Sequence, residues 1–174
     1  MNLYRTKKLL DAGNYKIESN ENSDPLFSWY GNKVKVNRKN FIAFINEKTG
    51  YPLFFYRMKK KELLNIEFYI EFAIEYAFKG EGYPLELIFH YLDRGSKTRI
   101  HKIASRKTLG HLKEMIFYST NQEYWELVDN CFNISSLSYI LSDTYMKMDN
   151  EYICPKDEML KELLNDYEIA NAQA

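Results

Sequence analysis

The stretch from residue 94 to residue 113 carries seven cations and no carboxylate. Cations that alternate along a strand, followed by the amino terminus of a helix, suit the oxygens of phosphate groups. We therefore predict that this stretch contacts nucleic acid or another polyphosphate. The predicted phosphate contacts are Arg94, Lys97, Arg99, Lys102, Arg106 and Lys107. A second basic group consists of Lys7, Lys8, Lys33, Lys35, Arg38 and Lys39.

The formal net charge of zero hides an uneven distribution of charge along the chain. Residues 1–113 hold 21 basic and 12 acidic residues, whereas residues 114–174 hold 3 basic and 12 acidic ones. The zero total argues against a protein that coats DNA and against an acidic mimic of nucleic acid. Two alternatives to a phosphate surface stay open. In the first alternative, the acidic last third of the chain packs over the basic strands and neutralises them. In the second, the cations protect a sheet edge against aggregation.

Aromatic residues are abundant, with 15 Tyr, 11 Phe and 2 Trp. Trp29 and Tyr30 stand directly before Gly31, at the expected edge of a strand. Because aromatic rings stack on unpaired bases, we predict that Trp29 or Tyr30 stacks a base beside the basic stretch. The alternative is that both rings belong to the hydrophobic core, where most aromatic residues of such a domain lie.

The three histidines are the candidates for acid–base chemistry. His101 together with Asp93 or Glu114 would serve a small hydrolase or nuclease, although no spacing rule requires these side chains to meet. The sequence contains no GxSxG, HExxH, Walker A or GxGxxG motif. We therefore assign no catalytic residue and no cofactor.

Cysteine usage and hydropathy indicate a cytoplasmic protein. Cys131 and Cys154 lack the CxxC spacing of a zinc site, so we expect two reduced thiols and no bound metal. The first residues contain no apolar run of signal-peptide length. The most apolar region, 66–78, is interrupted by three glutamates and does not suit a membrane span.

Period-two alternation and turn signals predict strands in the first third of the chain. A short strand is expected over 2–6, and an antiparallel meander over 33–56 with a hairpin turn at 47–50. A last strand is expected over 97–104. The basic stretch would therefore run from a loop, through this strand, into a helix.

Helical spacing dominates the rest of the chain. Helices are predicted over 58–79, from Pro84 to about Asp93, from Arg106 to about Thr120 with Ser105 as N-cap, and from Pro155 onwards. The pattern stays helical to about residue 128, and no element is assigned to 131–154. Three glutamates four residues apart in the first helix predict a solvated face. Together these elements predict one α+β domain over 1–174, with an N-terminal antiparallel sheet packed by several helices.

Six short segments, taken in order, resemble a bacterial family of unknown function, the one numbered 6933. They are 6–11, 25–32, 37–39, 44–49, 105–110 and 155–158. Gly31 stands where the family pattern has alanine, and glycine would admit a positive φ there. The resemblance implies an intact single-domain member with no activity, cofactor or catalytic residue to transfer. It also implies that a ligand site would join Arg106 and Lys107 to the tryptophan strand.

The leading function hypothesis is a non-enzymatic binding module that contacts nucleic acid or another polyphosphate through the basic strand and helix. Some relatives in the resembling family look like cargo of plasmids or other mobile elements, which favours a role near nucleic acid or in phage conflict. A protein–protein interaction or inhibitor module, steered by the charge separation, is the alternative. A small hydrolase or nuclease that uses His101 is the third hypothesis.

Overall fold

Five strands form the main sheet of the protein, for which we describe a computed structural model. They are β1 (Asn2–Arg5), β2 (Ser28–Val36), β3 (Lys39–Asn46), β4 (Pro52–Tyr56) and β5 (Arg99–Lys102). The strand order is β4-β3-β2-β1-β5. The structure describes residues 1–11, 15–18, 23–103, 106–120, 135–148 and 150–173, without the side chains of Arg106, Lys107, Ser135 and Ser136.

The predicted antiparallel meander is confirmed over β2, β3 and β4. The structure adds β1, which pairs in parallel with both β2 and β5, so the whole sheet is mixed. Parallel neighbours need a long crossover connection, and the local alternation of residues does not reveal strand direction. The α+β class is confirmed, because consecutive N-terminal strands form most of the sheet and most of the helices follow them in the chain.

Two tight turns set the register of the meander. Asn37 and Arg38 join β2 to β3 with φ values of 47° and 64°, as a two-residue type I′ hairpin requires. Gly50 ends the β3–β4 turn with φ at 69°, and glycine occupies that region without a steric penalty. The predicted turn at 47–50 therefore lies where the sequence places it.

The helices follow the predicted periodicity with one break. They are α1 (Lys7–Leu10), α2 (Lys60–Leu63), α3 (Ile66–Gly80), α4 (Leu85–Arg94), α5 (Arg106–Ser119), α6 (Ser135–Ser142) and α7 (Pro155–Ala172). The single helix predicted over 58–79 is two helices, because Asn65 leaves helical geometry with φ at −118°. The predicted cap at Ser105 and the helical pattern over 121–128 lie outside the described residues.

Two smaller elements complete the described chain. A 3₁₀ turn (Pro25–Phe27) precedes β2, and a ribbon of β6 (Met146–Met148) with β7 (Glu151–Ile153) precedes α7. Among the described helices, none has the length and apolar character that a membrane crossing requires.

The sheet separates two hydrophobic clusters. On one face, Leu3, Trp29 and Phe44 pack against buried residues of α3, α4 and α7. On the other, Tyr4, Tyr30 and similar alternate residues pack against α5 and α6. Because successive strand residues point to opposite faces, neighbouring side chains belong to different clusters.

Gly31 permits a close approach inside the first cluster. A Cβ atom at this position would lie 2.3 Å from Cε1 of Phe44, which is on the neighbouring strand. The positive φ considered for Gly31 from the sequence is not found, since Gly50 and Gly82 are the glycines with positive φ in the described chain. Glycine is needed here for the space that the Phe44 ring occupies.

Candidate functional site

A basic notch opens at the amino ends of β1 and β5. The parallel pairing places Arg99 opposite Asn2, and α4 ends at Arg94 shortly before β5 begins. The notch has a volume of about 250 Å³. Its lining residues are Met1, Asn2, Asp24, Phe27, Arg94, Lys97 and Arg99. Three of the six predicted phosphate contacts therefore meet at one place.

Carboxylates hold two of the three side-chain cations of the basic notch. Arg94 forms an ion pair with Asp166 of α7, and its guanidinium lies 4.9 Å from the centre of the Phe27 ring. Arg99 Nε lies 3.6 Å from a carboxylate oxygen of Glu18. Asp166, from the acidic last third of the chain, thus neutralises Arg94 of the basic stretch. This contact agrees with the alternative in which the acidic last third covers the basic strands. Lys97 is exposed.

The amino group of Met1 sits against the same notch. It donates to the carbonyl oxygens of Gly95 at 2.5 Å and Lys97 at 2.9 Å. Burial lowers the pKa of this amine to about 6; the Glu71 carboxylate opposes the shift and Arg99 adds to it. Near neutral pH the amine therefore contributes hydrogen bonds to the notch and little positive charge.

Of the other three predicted phosphate contacts, Lys102 does not join the basic notch. Lys102 is exposed at the far end of β5, where it pairs in register with Arg5. Three residue steps along a strand separate it from Arg99 by about 10 Å. Arg106 begins α5 after that strand, and the side chains of Arg106 and Lys107 lie outside the described residues.

Trp29 and Tyr30 are core residues. Trp29 is fully buried, and its Nε1 donates to the hydroxyl of Tyr91 at 2.9 Å. The Tyr30 ring stacks on Tyr4 at 4.6 Å. Neither ring is open to a base, so the expectation that Trp29 or Tyr30 stacks one does not hold in this structure. The local sequence does not reveal that β2 is a central strand with helices packed on both of its faces.

His101 is also a buried residue, with a relative exposure of 2%. Its ring stacks on Tyr4, and its nitrogens lie 3.3 Å from Asn2 Oδ1 and 3.3 Å from the carbonyl oxygen of Glu18. These partners are neutral and replace the predicted pairing with Asp93 or Glu114. The described contacts of His101 therefore explain packing and supply no acid–base pair.

A second cavity, of about 700 Å³, lies beside the β3–β4 turn. Its lining residues are Pro25, Ile45, Asn46, Glu47, Lys48, Thr108, His111, Met148, Asn150, Glu151, Ile153 and Glu158. Residues from four of the six segments that carry the family resemblance meet here, namely 25–32, 44–49, 105–110 and 155–158. We refer to it as the segment cavity. It brings the start of α5 beside Pro25, which precedes the tryptophan strand, and its lining contains no residue of that strand.

Carboxylates dominate the charge of the segment cavity. Glu47 Oε1 accepts a hydrogen bond from the Tyr30 hydroxyl at 3.1 Å. Burial raises the pKa of Glu47, and hydrogen bonds from Tyr30 and Ser28 partly oppose that shift. Lys161 neutralises Glu158 at 2.9 Å, and Lys48 lies 3.6 Å from Glu162. Phosphate is repelled by such a wall, so the predicted polyphosphate contact does not suit this cavity.

Buried hydrogen bonds join the family segments to one another. Asn46 Nδ2 donates to the carbonyl oxygen of Leu26 at 2.8 Å, and the Tyr91 hydroxyl donates to the same oxygen at 2.9 Å. Asn46 Oδ1 accepts from the backbone N–H of Lys48 and of Thr49, each at 3.1 Å. These segments therefore fix the β3–β4 turn against the start of β2.

Arg5 is a buried ionic residue that the sequence analysis did not single out. Its Nη2 lies 2.8 Å from Glu67 Oε1, and its guanidinium lies 4.3 Å from the centre of the Tyr15 ring. Its Nε and Nη1 have no hydrogen-bond partner among the residues that the structure describes. The sequence offers one signal for this pair: Arg5 is a cation inside a predicted strand, and Glu67 lies on a predicted helix.

The described residues offer no metal centre. Among them, no group of three or more His, Cys, Asp or Glu side chains is placed to hold an ion. Cys154 is buried and free, and burial raises the pKa of its thiol. Cys131 lies outside the described residues.

Comparison with known proteins assigns the chain to a family. No curated protein and no solved structure matches it. A family described as a domain of unknown function, DUF6933, matches residues 2–158. That match runs from β1 into the first turn of α7 and includes the lining of the segment cavity and, apart from Met1, the lining of the basic notch. The chain therefore belongs to the DUF6933 family.

Proposed function

We propose that this protein is a binding module for nucleic acid or another polyphosphate, with the basic notch as its main phosphate contact. The observation that carries the proposal is the meeting of Arg94, Lys97 and Arg99 around one pocket of about 250 Å³. Guanidinium groups present several donors in a fixed plane that matches phosphate oxygens, and a lysine adds a point charge.

The ion pairs at the basic notch leave its cations available to a ligand. Arg94 and Arg99 are both partly exposed, with 43% and 38% of their side chains accessible. Surface pairs of this kind contribute only about 0–1 kcal/mol, and one guanidinium has donors for two acceptors. The Met1 amine also occupies the carbonyl oxygens of Gly95 and Lys97, which would otherwise repel a phosphate.

Fluorescence anisotropy with labelled single-stranded DNA, duplex DNA and RNA tests this proposal across a salt series. Three phosphate contacts predict a slope of about −3 for log affinity against log salt on a duplex, and about −2 on a single strand. The variant Arg94→Ala/Lys97→Ala/Arg99→Ala should lose most of the affinity and most of the slope. Inorganic polyphosphate, added as a competitor, separates a nucleic-acid ligand from a general polyphosphate.

A matched control removes the same charge elsewhere. Lys16, Lys60 and Lys61 are exposed, and the hydrogen bond from Tyr15 to Leu63 places them near the opposite end of β1. The variant Lys16→Ala/Lys60→Ala/Lys61→Ala should bind almost as the unmodified chain does. Equal loss in both triple variants, or no binding to any of the three labelled probes, would overturn the proposal and favour a protein partner.

A further inference from the structure

Large apolar side chains are exposed in a row along the outer face of α3. Phe68 and Phe72 are 66% and 60% exposed, and Tyr76 extends the row along α3 at four-residue spacing. Leu64, the C-cap residue of α2, is exposed just before the row begins. Side chains four residues apart share one face of a helix. Exposed aromatic rows of this kind mark interaction surfaces on otherwise ordinary proteins.

The row continues onto α4. Leu85 and Phe89 are also exposed, and Lys79 Nζ lies 5.6 Å from the centre of the Phe89 ring, which links the end of α3 to α4. We call these six side chains the aromatic ridge. Its members are Leu64, Phe68, Phe72, Tyr76, Leu85 and Phe89.

Two of the acids beside the aromatic ridge are already matched within the chain. Glu67 lies 2.8 Å from Arg5, and Glu75 lies 2.5 Å from Lys79 in the i,i+4 pair that the sequence predicts. A partner that covers the ridge therefore buries each of these carboxylates together with its own cation. Burial of a carboxylate without a counter-charge would be costly. The exposed side of α3 is therefore not the purely acidic face that the sequence predicts, because exposed aromatic rings lie beside the glutamates.

The two ends of the aromatic ridge carry opposite charge. The exposed residues Lys59, Lys60 and Lys61 precede Leu64, whereas exposed Glu86 follows Leu85 at the other end. Lys79 also lies at that end, where its charge is balanced by Glu75. We propose that the ridge is the contact surface between two copies of this chain, packed antiparallel about a twofold axis. Such a contact uses the same patch on both copies.

An antiparallel arrangement satisfies both the apolar and the charged groups. Leu64 of one copy then faces Tyr76 of the other, and Phe68 faces Phe72. The lysine end of each copy meets the glutamate end of its partner, whereas a parallel arrangement would place lysines against lysines. Like-charge contacts are unfavourable, so the charge pattern selects the antiparallel pair.

Sedimentation velocity from about 1 µM to about 300 µM tests the dimer, because that range covers the affinities of ordinary contacts. Phe68→Ser/Phe72→Ser should weaken the dimer by roughly tenfold or more, since large central side chains dominate interfaces. Phe117→Ser is the matched control, because Phe117 is also 66% exposed but belongs to α5. Far-ultraviolet circular dichroism should show that both variants stay folded.

Charge variants test the antiparallel arrangement independently of the apolar contacts. Lys60→Glu/Lys61→Glu should weaken the dimer, and adding Glu86→Lys to the same chain should restore part of the affinity. Phosphate-ligand binding should be unchanged in Phe68→Ser/Phe72→Ser, which separates this proposal from the proposed function.

Three results would overturn the dimer. They are an unmodified chain that stays monomeric across the whole range, a Phe68→Ser/Phe72→Ser variant that associates as before, and charge variants without effect. A monomer that binds a different protein through the aromatic ridge would likewise contradict it.

Discussion

The two ends of β1 both carry cations but differ in how those cations are used. At the carboxyl end, Arg5 is fully buried, paired with Glu67 and covered by the ring of Tyr15. At the amino end, Arg94 and Arg99 stand around an open notch and keep more than a third of their side chains accessible. One end is sealed by the protein itself, and the other is accessible to a ligand.

This difference shows that the number of cations in a segment does not identify a binding site. In parallel sheets, ligands commonly bind at the carboxyl ends of the strands. Here the cation of β1 at that end, Arg5, is buried and paired with Glu67, although its strand neighbour Lys102 is exposed. At the amino end, Arg94 and Arg99 line the notch and stay partly accessible. Burial and pairing therefore distinguish a structural cation from cations whose side chains are accessible.

The largest expected effect concerns the sealed end. Glu67→Gln leaves the Arg5 guanidinium buried without a counter-charge, and removing one partner of a buried pair costs about 3–5 kcal/mol. Because Glu67 is 27% exposed, we expect a loss of about 2 kcal/mol in the free energy of unfolding. Urea denaturation followed by tryptophan fluorescence measures it.

Asp166→Asn is the matched control at the open end, because it removes the carboxylate that pairs with Arg94 and lies 3.2 Å from His90 Nε2. We expect about 1 kcal/mol or less, as for other surface pairs. Equal losses in the two variants would show that the ends of β1 do not differ in the way described.

A smaller effect should sharpen the description of the open end. Glu18 lies near Arg99, so Glu18→Gln should strengthen phosphate-ligand binding by about two- to threefold, equivalent to about 0.5 kcal/mol. Anisotropy at low salt measures the change. Glu151→Gln removes an exposed carboxylate from the segment cavity and should leave the affinity unchanged. A stronger response to Glu151→Gln would place the ligand at the segment cavity.

The smallest effect concerns Glu47, which belongs to neither end of β1. Burial raises its pKa above the ordinary 4.5, so the folded chain binds this proton more tightly than the unfolded chain. Ionised Glu47 therefore lowers the free energy of unfolding. This loss begins as the pH rises past the ordinary pKa of 4.5, and it is complete above the raised pKa of the folded chain. Glu47→Gln should gain stability relative to the unmodified chain between acidic and neutral pH. Urea denaturation at several pH values measures the trend, and a constant difference would contradict it.

Local periodicity predicts the elements well and the site poorly. The alternation over 33–56 and the helical spacing after Pro84 and Pro155 correspond to β2–β4, α4 and α7. Trp, Tyr and His often serve binding or catalysis at a protein surface. Trp29, Tyr30 and His101, however, lie on strands of the sheet and are buried. Nothing in their immediate sequence distinguishes a residue on a central strand from one at an edge.

The predicted phosphate contacts divide for the same reason. Arg94, Lys97 and Arg99 are already close in the chain, and the pairing of β5 with β1 places Met1 and Asn2, almost a hundred positions earlier, beside them in the notch. Lys102 lies at the other end of this short strand. The sequence order of the cations therefore includes the residues that line the notch, but it does not distinguish them from Lys102.

The sequence by itself determined the α+β class, the meander, the helix positions and the unequal distribution of charge, because each depends on residues that are close in the chain. Only the tertiary structure decided which cations are open, which aromatic rings are core and which face of α3 is exposed. Those properties depend on strand order and on what packs against each face, and distant residues supply both.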